Sequence, residues 1–307
     1  MKRKEQPMLS EAGQHALDQY AQVLRHLEDL SVVTIRNYLS DLRQFIAWRE
    51  YSWCDVQENR TFTSQAVAPS LLIRYREYLQ ATLSLKPSTV NRTLMSLKRY
   101  FAWARKTHLI QSDPASPIKF APKEASPPRH LSNDEEDALV AAVNATGTLR
   151  DQTIIILMLH TGLRAQELCA LTRQQVHLGK RNGVLRIMGK SKKVREVPLN
   201  TTARSILNQY LKTLPQECQY LFPSEKTQKS LTGRALGHLI TKYATQAQVI
   251  DVSPHDLRHR FGYRMAEVVP LHRLAQIMGH DSLDTTMLYI QGTKQDLQQD
   301  VEKIAWI

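Results

Sequence analysis

Six side chains in the second half of this chain have the types needed to handle a phosphodiester: Arg164, Lys190, His255, Arg258, His280 and Tyr289. A phosphoryl group in transfer carries its charge on the non-bridging oxygens. Two planar guanidinium groups, Arg164 and Arg258, suit those oxygens and the pentacoordinate state that develops. Tyr289 can supply the attacking oxygen and form a covalent phosphotyrosine. A phenol with an ordinary pKa of about 10 needs a proton acceptor or a strongly positive site to do so. Lys190 suits protonation of a leaving 5′-hydroxyl, His255 acid or base work, and His280 donation of a hydrogen bond to the phosphate. Glu167, three residues after Arg164, is a supporting partner. No carboxylate cluster suited to Mg²⁺ lies near these segments, so neither a metal nor another cofactor is expected.

Singly, each residue has a plainer reading. Arg164 and Glu167 can be a surface ion pair, Lys190 an ordinary turn residue, His280 a structural histidine and Tyr289 core packing. The set is more specific than its members. His255 and His259 stand four apart, as in zinc hydrolases, but Asp256 occupies the place of the expected glutamate and no third ligand is evident.

The elements that must position these residues can be read from apolar periodicity. Leu17, Tyr20, Leu24 and Leu27 recur at helical spacing, as do Ile35, Tyr38, Leu39, Leu42, Phe45 and Ile46 behind Ser31 and Thr34 as cap residues. A third helix fits 71–79, and a fourth runs from Pro87-Ser88 to about Lys106. The fourth carries two rows at sevenfold spacing: Asn91, Lys98 and Arg105, and Arg92, Arg99 and Lys106. These form either a solvated face or a strip laid along phosphates.

Prolines cluster at 114, 117, 122, 127 and 128. The expected division is a helical domain over 1–108, a proline-rich linker over 109–129 and a second domain over 130–307. A capping box at Ser132 and Glu135 opens the second domain. An apolar helix over 151–160 ends at Thr161-Gly162. Strands fit 183–188 and 194–199, joined by a turn containing Lys190, Lys192 and Lys193. Helices follow at about 202–213, 232–247, from Ser253-Pro254, at 270–278 and at 282–290. The tail 294–307 is amphipathic.

Lysine and arginine number 41 against 29 acidic residues, a net of +12. The two halves, 1–128 and 129–307, share this excess equally. Such a field attracts polyanions, as a clamp with two basic jaws would. Cys54, Cys169 and Cys218 lack metal-like spacing and read as reduced thiols of a cytoplasmic protein. Neither a signal peptide nor a membrane span is expected.

The order Arg164, Lys190, His255-x-x-Arg258, His280, Tyr289 resembles the tyrosine recombinases and phage-type integrases, especially their simple Xer-like members. The resembling phrases are Thr161-Gly162-Leu163-Arg164-x-x-Glu167-Leu168, Gly189-Lys190 with Val197-Pro198-Leu199, His255-Asp256-Leu257-Arg258-His259, Leu274 to His280, and Thr285-Thr286-x-x-Tyr289. Where the family often has Thr-Phe-Ala, this chain has Arg260-Phe261-Gly262, and its lysine turn is richer, so that Lys192 or Lys193 can share the role of Lys190. The resemblance implies a mainly α fold with a small antiparallel β-sheet. It implies a helical, SAM-like core-binding domain and an α+β catalytic domain forming a C-shaped clamp on duplex DNA. It further implies cleavage and rejoining through a 3′-phosphotyrosine and a Holliday junction. Dimers would form on inverted half-sites, tetramers in the synapse, and the C-terminal segment would dock on a neighbouring subunit. Expected DNA contacts are Arg92, Lys98, Arg99, Arg105, Lys192 and Lys193. Dimer or cointegrate resolution and integration or excision of a mobile element all fit. Rival readings are a type IB topoisomerase and a non-catalytic DNA-binding regulator.

Overall fold

The computed structural model describes residues 7–26, 30–51, 61–122, 129–189, 194–280 and 282–289. The chain forms two compact units, Met1–Ala125 and Ser126–Ile307. In the first unit, helices α1 (Glu11–His26), α2 (Val32–Tyr51), α3 (Pro69–Glu77) and α4 (Pro87–Lys106) follow the apolar spacing, and α3 runs on into a π-turn over Tyr78–Thr82. Ser31 Oγ accepts from the Thr34 N–H at 3.1 Å, so the expected cap opens α2. The core is aromatic: Phe45 meets Tyr75 edge-on at 5.0 Å, and Tyr20 meets Tyr100 at 5.1 Å.

Residues 109–122 do not behave as the first part of a free linker. Ile110, Ala115, Ile118 and Ala121 are buried in the core of the first unit. The Asn91 side chain pairs with both backbone groups of Ala121, at 2.7 and 2.9 Å, and Lys98 Nζ donates to Ala115 O at 2.6 Å. The prolines deny this segment a regular element, but its small and apolar residues still gain by leaving water. Pro127 and Pro128 lie outside the described residues.

The second unit opens with α5 (Asn133–Thr146), capped reciprocally by Ser132 and Glu135 as expected. Helix α6 (Leu149–Thr161) is buried from Thr153 to Leu159, so its apolar run needs no amphipathic stripe. After α7 (Ala165–Ala170) comes an antiparallel sheet of β1 (Val176–Leu178), β2 (Gly183–Met188) and β3 (Val194–Pro198), in that order. Leu185 pairs with Val176 on one side and Val197 on the other. Strand β1 is an addition to the expected pair, since three residues are too few to reveal a period. Helices α8 (Thr201–Thr213), α9 (Gly233–Gln246), α10 (Pro254–Ala266), α11 (Leu271–Met278) and α12 (Asp284–Met287) complete the unit. The amphipathic tail and the lysine turn fall outside the described residues. Among those described, no helix is long and apolar enough to cross a membrane.

Candidate active site

Two helix ends build the site. Helix α6 stops at Gly162, whose φ of +60° is left-handed. A Cβ there would stand 2.4 Å from the Phe261 ring, so glycine serves both the turn and the close packing. The chain then reverses, buries Leu163 and delivers Arg164 just ahead of α7. Glu167 reaches back to accept the Arg164 N–H at 2.7 Å and Arg164 Nη1 at 3.0 Å. Helix α11 ends likewise, at Gly279 with φ +67°.

The carbonyls left unpaired by these ends receive the arginines. Arg164 Nη2 donates to Gly279 O at 2.6 Å. Arg258, from the middle of α10, donates to Gly162 O and, at 3.0 Å, to Met278 O. A helix C-terminus presents partial negative charge and free acceptors, so a guanidinium is favoured there. Arg258 is 6% exposed, yet among the described residues it forms no salt bridge with a carboxylate. Burial, and next the charge of Arg164, depress its pKa to about 10. A buried cation held by neutral carbonyls is short of an anion. Arg164 leaves 42% of its side chain open to solvent, where an anion can approach.

His280 completes the cradle. Its Nε2 lies 2.9 Å from Arg258 Nη2 and its Nδ1 2.7 Å from Thr286 Oγ1. A guanidinium only donates, so Nε2 is the acceptor and Nδ1–H donates to the buried threonine. Burial, then the charges of Arg258 and Arg164, hold His280 down to about 4. In this arrangement both ring nitrogens are taken by protein groups. Donation to a phosphate, as expected from sequence, would require Arg258 to turn towards the anion and release Nε2, and Nε2 to take up a proton.

Tyr289 packs against the same helix. It is 2% exposed, meets Tyr263 edge-on at 5.2 Å and lies parallel to the His280 ring at 6.2 Å. Its hydroxyl is 3.1 Å from His259 Nδ1. Burial raises its pKa above the ordinary phenol value, and Arg258 and Arg164 offset part of that.

Arg164, Arg258, His280, Tyr289 and Glu167 are thus brought together. His255 stands exposed in the first turn of α10. Lys190, Lys192 and Lys193 lie outside the described residues. In the first unit, Arg92 and Lys98 have protein partners: Arg92 pairs with buried Asp41 at 2.5 Å, and Lys98 caps the carbonyls of Ala115 and Ser116. Arg99 rests over the Tyr38 ring, and both it and Arg105 are exposed.

Sequence reasoning passed over Arg195. Its Nη1 and Nη2 each meet a Glu167 oxygen at 2.8 Å, and its Nε donates to Ile277 O at 3.1 Å. Burial alone would raise the Glu167 carboxyl; hydrogen bonds from Arg195 and the Arg164 backbone, with both guanidinium charges, hold it below its usual range. Arg195 was visible as a charged residue in a half-buried strand, but nothing in the spacing linked it to Glu167. Arg260, the charge that sets this chain apart beside Arg258, turns from the site to pair with Glu136 on α5.

Residues 129–296 match the phage integrase family, and residues 17–108 match the phage integrase N-terminal SAM-like domain. The tyrosine recombinase XerD of Shewanella oneidensis is 30% identical over 294 residues, covering 92% of this chain and 94% of that protein. The tyrosine recombinase XerC of Roseiflexus castenholzii is 30% identical over 291 residues, covering 89% and 88%. Among solved structures, the Tn1549 transposon integrase in complex with a circular intermediate DNA superposes with a TM-score of 0.75 at 19% identity, over 94% of this chain and 99% of that one. The XerH site-specific recombinase bound to its difH substrate gives 0.71 at 20% identity, over 93% and 83%. These likenesses agree with the mainly helical fold and its small antiparallel sheet, and the chain belongs to the phage integrase family of tyrosine recombinases.

Proposed function

We propose that this protein is a site-specific DNA recombinase that cuts and rejoins duplex DNA through a 3′-phosphotyrosine on Tyr289. The observation that carries the reading is the pair Arg164 and Arg258, both donating to neutral helix-end carbonyls, Arg258 without a carboxylate partner among the described residues and Arg164 sharing Glu167 with Arg195, with Tyr289 packed against the helix that carries Arg258. Such a pair is ready for an anion whose charge grows during reaction. Attack by the phenol oxygen forms the O–P bond as the bond to the 5′-oxygen breaks. Lys190 gives that oxygen its proton. His255 serves as acid or base, and His280 steadies the phosphate once Arg258 turns to it. The tyrosyl ester conserves the bond energy, so rejoining needs no external energy source.

The DNA partner is supported by the two solved structures named above, each of which is bound to DNA. In this reading two protomers occupy inverted half-sites and two dimers synapse as a tetramer. Strands exchange through a Holliday junction, in the cytoplasm, for resolution of dimers or cointegrates or for movement of a mobile element. The helical first domain grips the core site and the 294–307 tail docks on a neighbour.

The experiment is covalent trapping on a pool of duplexes with randomised arms, each nicked so that the cleaved fragment is lost. Wild-type protein should form an adduct stable to denaturation, and the recovered DNA should share an inverted repeat. Tyr289→Phe should bind that DNA without forming an adduct. An adduct with the Phe variant would remove Tyr289 as nucleophile. Relaxation of supercoiled DNA without site preference or junctions would favour a type IB topoisomerase instead.

A further inference from the structure

We propose that His259 is the base that takes the proton of Tyr289 as its oxygen attacks phosphorus. This rests on the recombinase reading given above. The observations are a hydrogen bond and a gap. The Tyr289 hydroxyl faces His259 Nδ1 at 3.1 Å. The ring of the same tyrosine lies against Gly262, three residues further along α10 and so on the same face of the helix as His259. A Cβ at Gly262 would stand 2.6 to 2.8 Å from Cζ, Cε1 and Cε2 of the phenol. In this chain a side chain at 262 would have to displace the ring, and with it the contact between its hydroxyl and His259. A glycine inside a helix costs about 0.5–1 kcal/mol relative to alanine, and at this position it gives the phenol its seat beside the imidazole.

The chemistry needs such a partner. At neutral pH a free phenol is ionised to only about one part in a thousand, and burial of Tyr289 makes it less acidic still. His259 is held neutral by burial. Asp256 favours its charged form, while His255, Arg258 and His130 oppose it. With the proton on Nε2, its Nδ1 lone pair accepts from the phenol. Attack then forms the O–P bond, the phenolic proton passes to Nδ1, and the departing 5′-oxygen takes a different proton from Lys190. On rejoining, His259 returns its proton to the phenol.

The other two histidines of the motif are less well placed. His280 has Nε2 against Arg258 and Nδ1 against Thr286, and its ring lies parallel to the phenol, at 6.2 Å, rather than edge-on to the hydroxyl. His255 is exposed in the first turn of α10. Assignment of the phenolic proton to His259 leaves His255 to acid or base work elsewhere in the reaction.

The test uses full-length protein and a nicked duplex recovered by the trapping selection. Single-turnover adduct formation is followed from pH 5.5 to 9.5 for wild type, His259→Gln, His259→Ala, His255→Gln, Gly262→Ala and Tyr289→Phe. Glutamine keeps the size and hydrogen bonding of histidine but takes no proton. His259→Gln should bind DNA normally and cleave about 10²–10⁴-fold more slowly at pH 7. Its rate should climb with pH towards the ionisation of the phenol, and added imidazole should restore part of the rate of a His259→Ala enzyme, whose small side chain leaves room for it. Gly262→Ala should reproduce the loss and the displaced profile with His259 intact. A His259→Gln rate within threefold of wild type, or a loss with an unchanged profile and no rescue of His259→Ala by imidazole, overturns the assignment. So does a Gly262→Ala enzyme with the wild-type rate and profile, or transfer of the whole effect to His255→Gln. An adduct with wild type and none with Tyr289→Phe keeps the recombinase reading alive whatever becomes of His259. No adduct with wild type overturns both.

Discussion

Arg195 grips Glu167 with both terminal nitrogens, each 2.8 Å from a carboxylate oxygen, and so joins strand β3 to the start of α7. Glu167 in turn holds the backbone N–H and Nη1 of Arg164. Arg195 and Arg164 would repel without the carboxylate between them, and with it Arg164 stays aimed at the open side. Replacing Arg195 by alanine leaves a buried carboxylate with one partner instead of two. The expected cost is about 1–3 kcal/mol in stability, read by denaturant unfolding. Cleavage should fall while DNA binding persists. Since Arg164 keeps its side chain, the loss in cleavage should be smaller than that of Arg164→Ala. Equal losses would show that Arg195 acts on the substrate itself.

Arg164→Ala and Arg258→Ala should each lower cleavage by about 10²-fold or more, but only the second should also harm the fold. Arg164 is partly open to solvent, and its removal frees the Gly279 carbonyl and takes one bond from Glu167, whose two oxygens Arg195 still holds. Arg258 is buried and satisfies Gly162 O, Met278 O and His280 Nε2 together. Its loss strands three acceptors and leaves a cavity. Thermal unfolding beside single-turnover cleavage separates the two arginines. Lysine should rescue neither, because its ammonium cannot span two acceptors in the fixed plane of a guanidinium.

Acid should loosen the chain through His280. Its pKa is about 4 in the folded state against an ordinary 6.5. Between those values the unfolded chain takes up a proton that the folded chain refuses, so stability is lost as pH falls from about 6.5 towards 4. Above about 6.5 both states are neutral at this site and the effect disappears. His160 and His259 are also lowered, each chiefly by burial, and contribute in the same direction. Glu167 adds its own loss only at lower pH, below the usual carboxylate range. His280→Asn should therefore flatten, without abolishing, the fall in melting temperature between pH 6.5 and 4.5. An unchanged slope would mean that His280 is charged in the folded protein.

Much of this arrangement could be read from residue types alone. The cap at Ser132, the end of α6 at Gly162 and the strand over 183–188 follow local rules: a side chain that accepts from the third N–H, a left-handed residue without Cβ, a period of two. The order of Arg164, Arg258, His280 and Tyr289 pointed to one site because phosphate chemistry needs those types together. Arg195 did not stand out, because its partners at Glu167 and Ile277 are distant in sequence. The seat of Tyr289 was hidden for the same reason, since what matters at Gly262 is an atom that is missing. The first part of the proline-rich stretch was misjudged because proline reports on backbone hydrogen bonding, whereas Ile110 and Ile118 answer to burial.

The basic rows on α4 divide by what they touch. Arg92 neutralises Asp41, whose side chain is 2% exposed and otherwise accepts from Ser96 Oγ at 2.6 Å. Lys98 is spent on two carbonyls, and Arg99 and Arg105 are exposed. Arg92→Ala should thus act mainly on stability, by about 1–3 kcal/mol, because it leaves a buried charge short of its partner. Arg99→Ala and Arg105→Ala should leave the melting temperature nearly unchanged. If the exposed part of this face meets phosphates, each should lower the slope of log K against log salt by about one. Fluorescence anisotropy on the recovered duplex across a salt series gives the slopes, and thermal unfolding of the same preparations gives the stabilities. Unchanged slopes for both exposed arginines would assign this face to solvent, and a flattened slope for a fully folded Arg92→Ala would show that its guanidinium leaves Asp41 for the DNA.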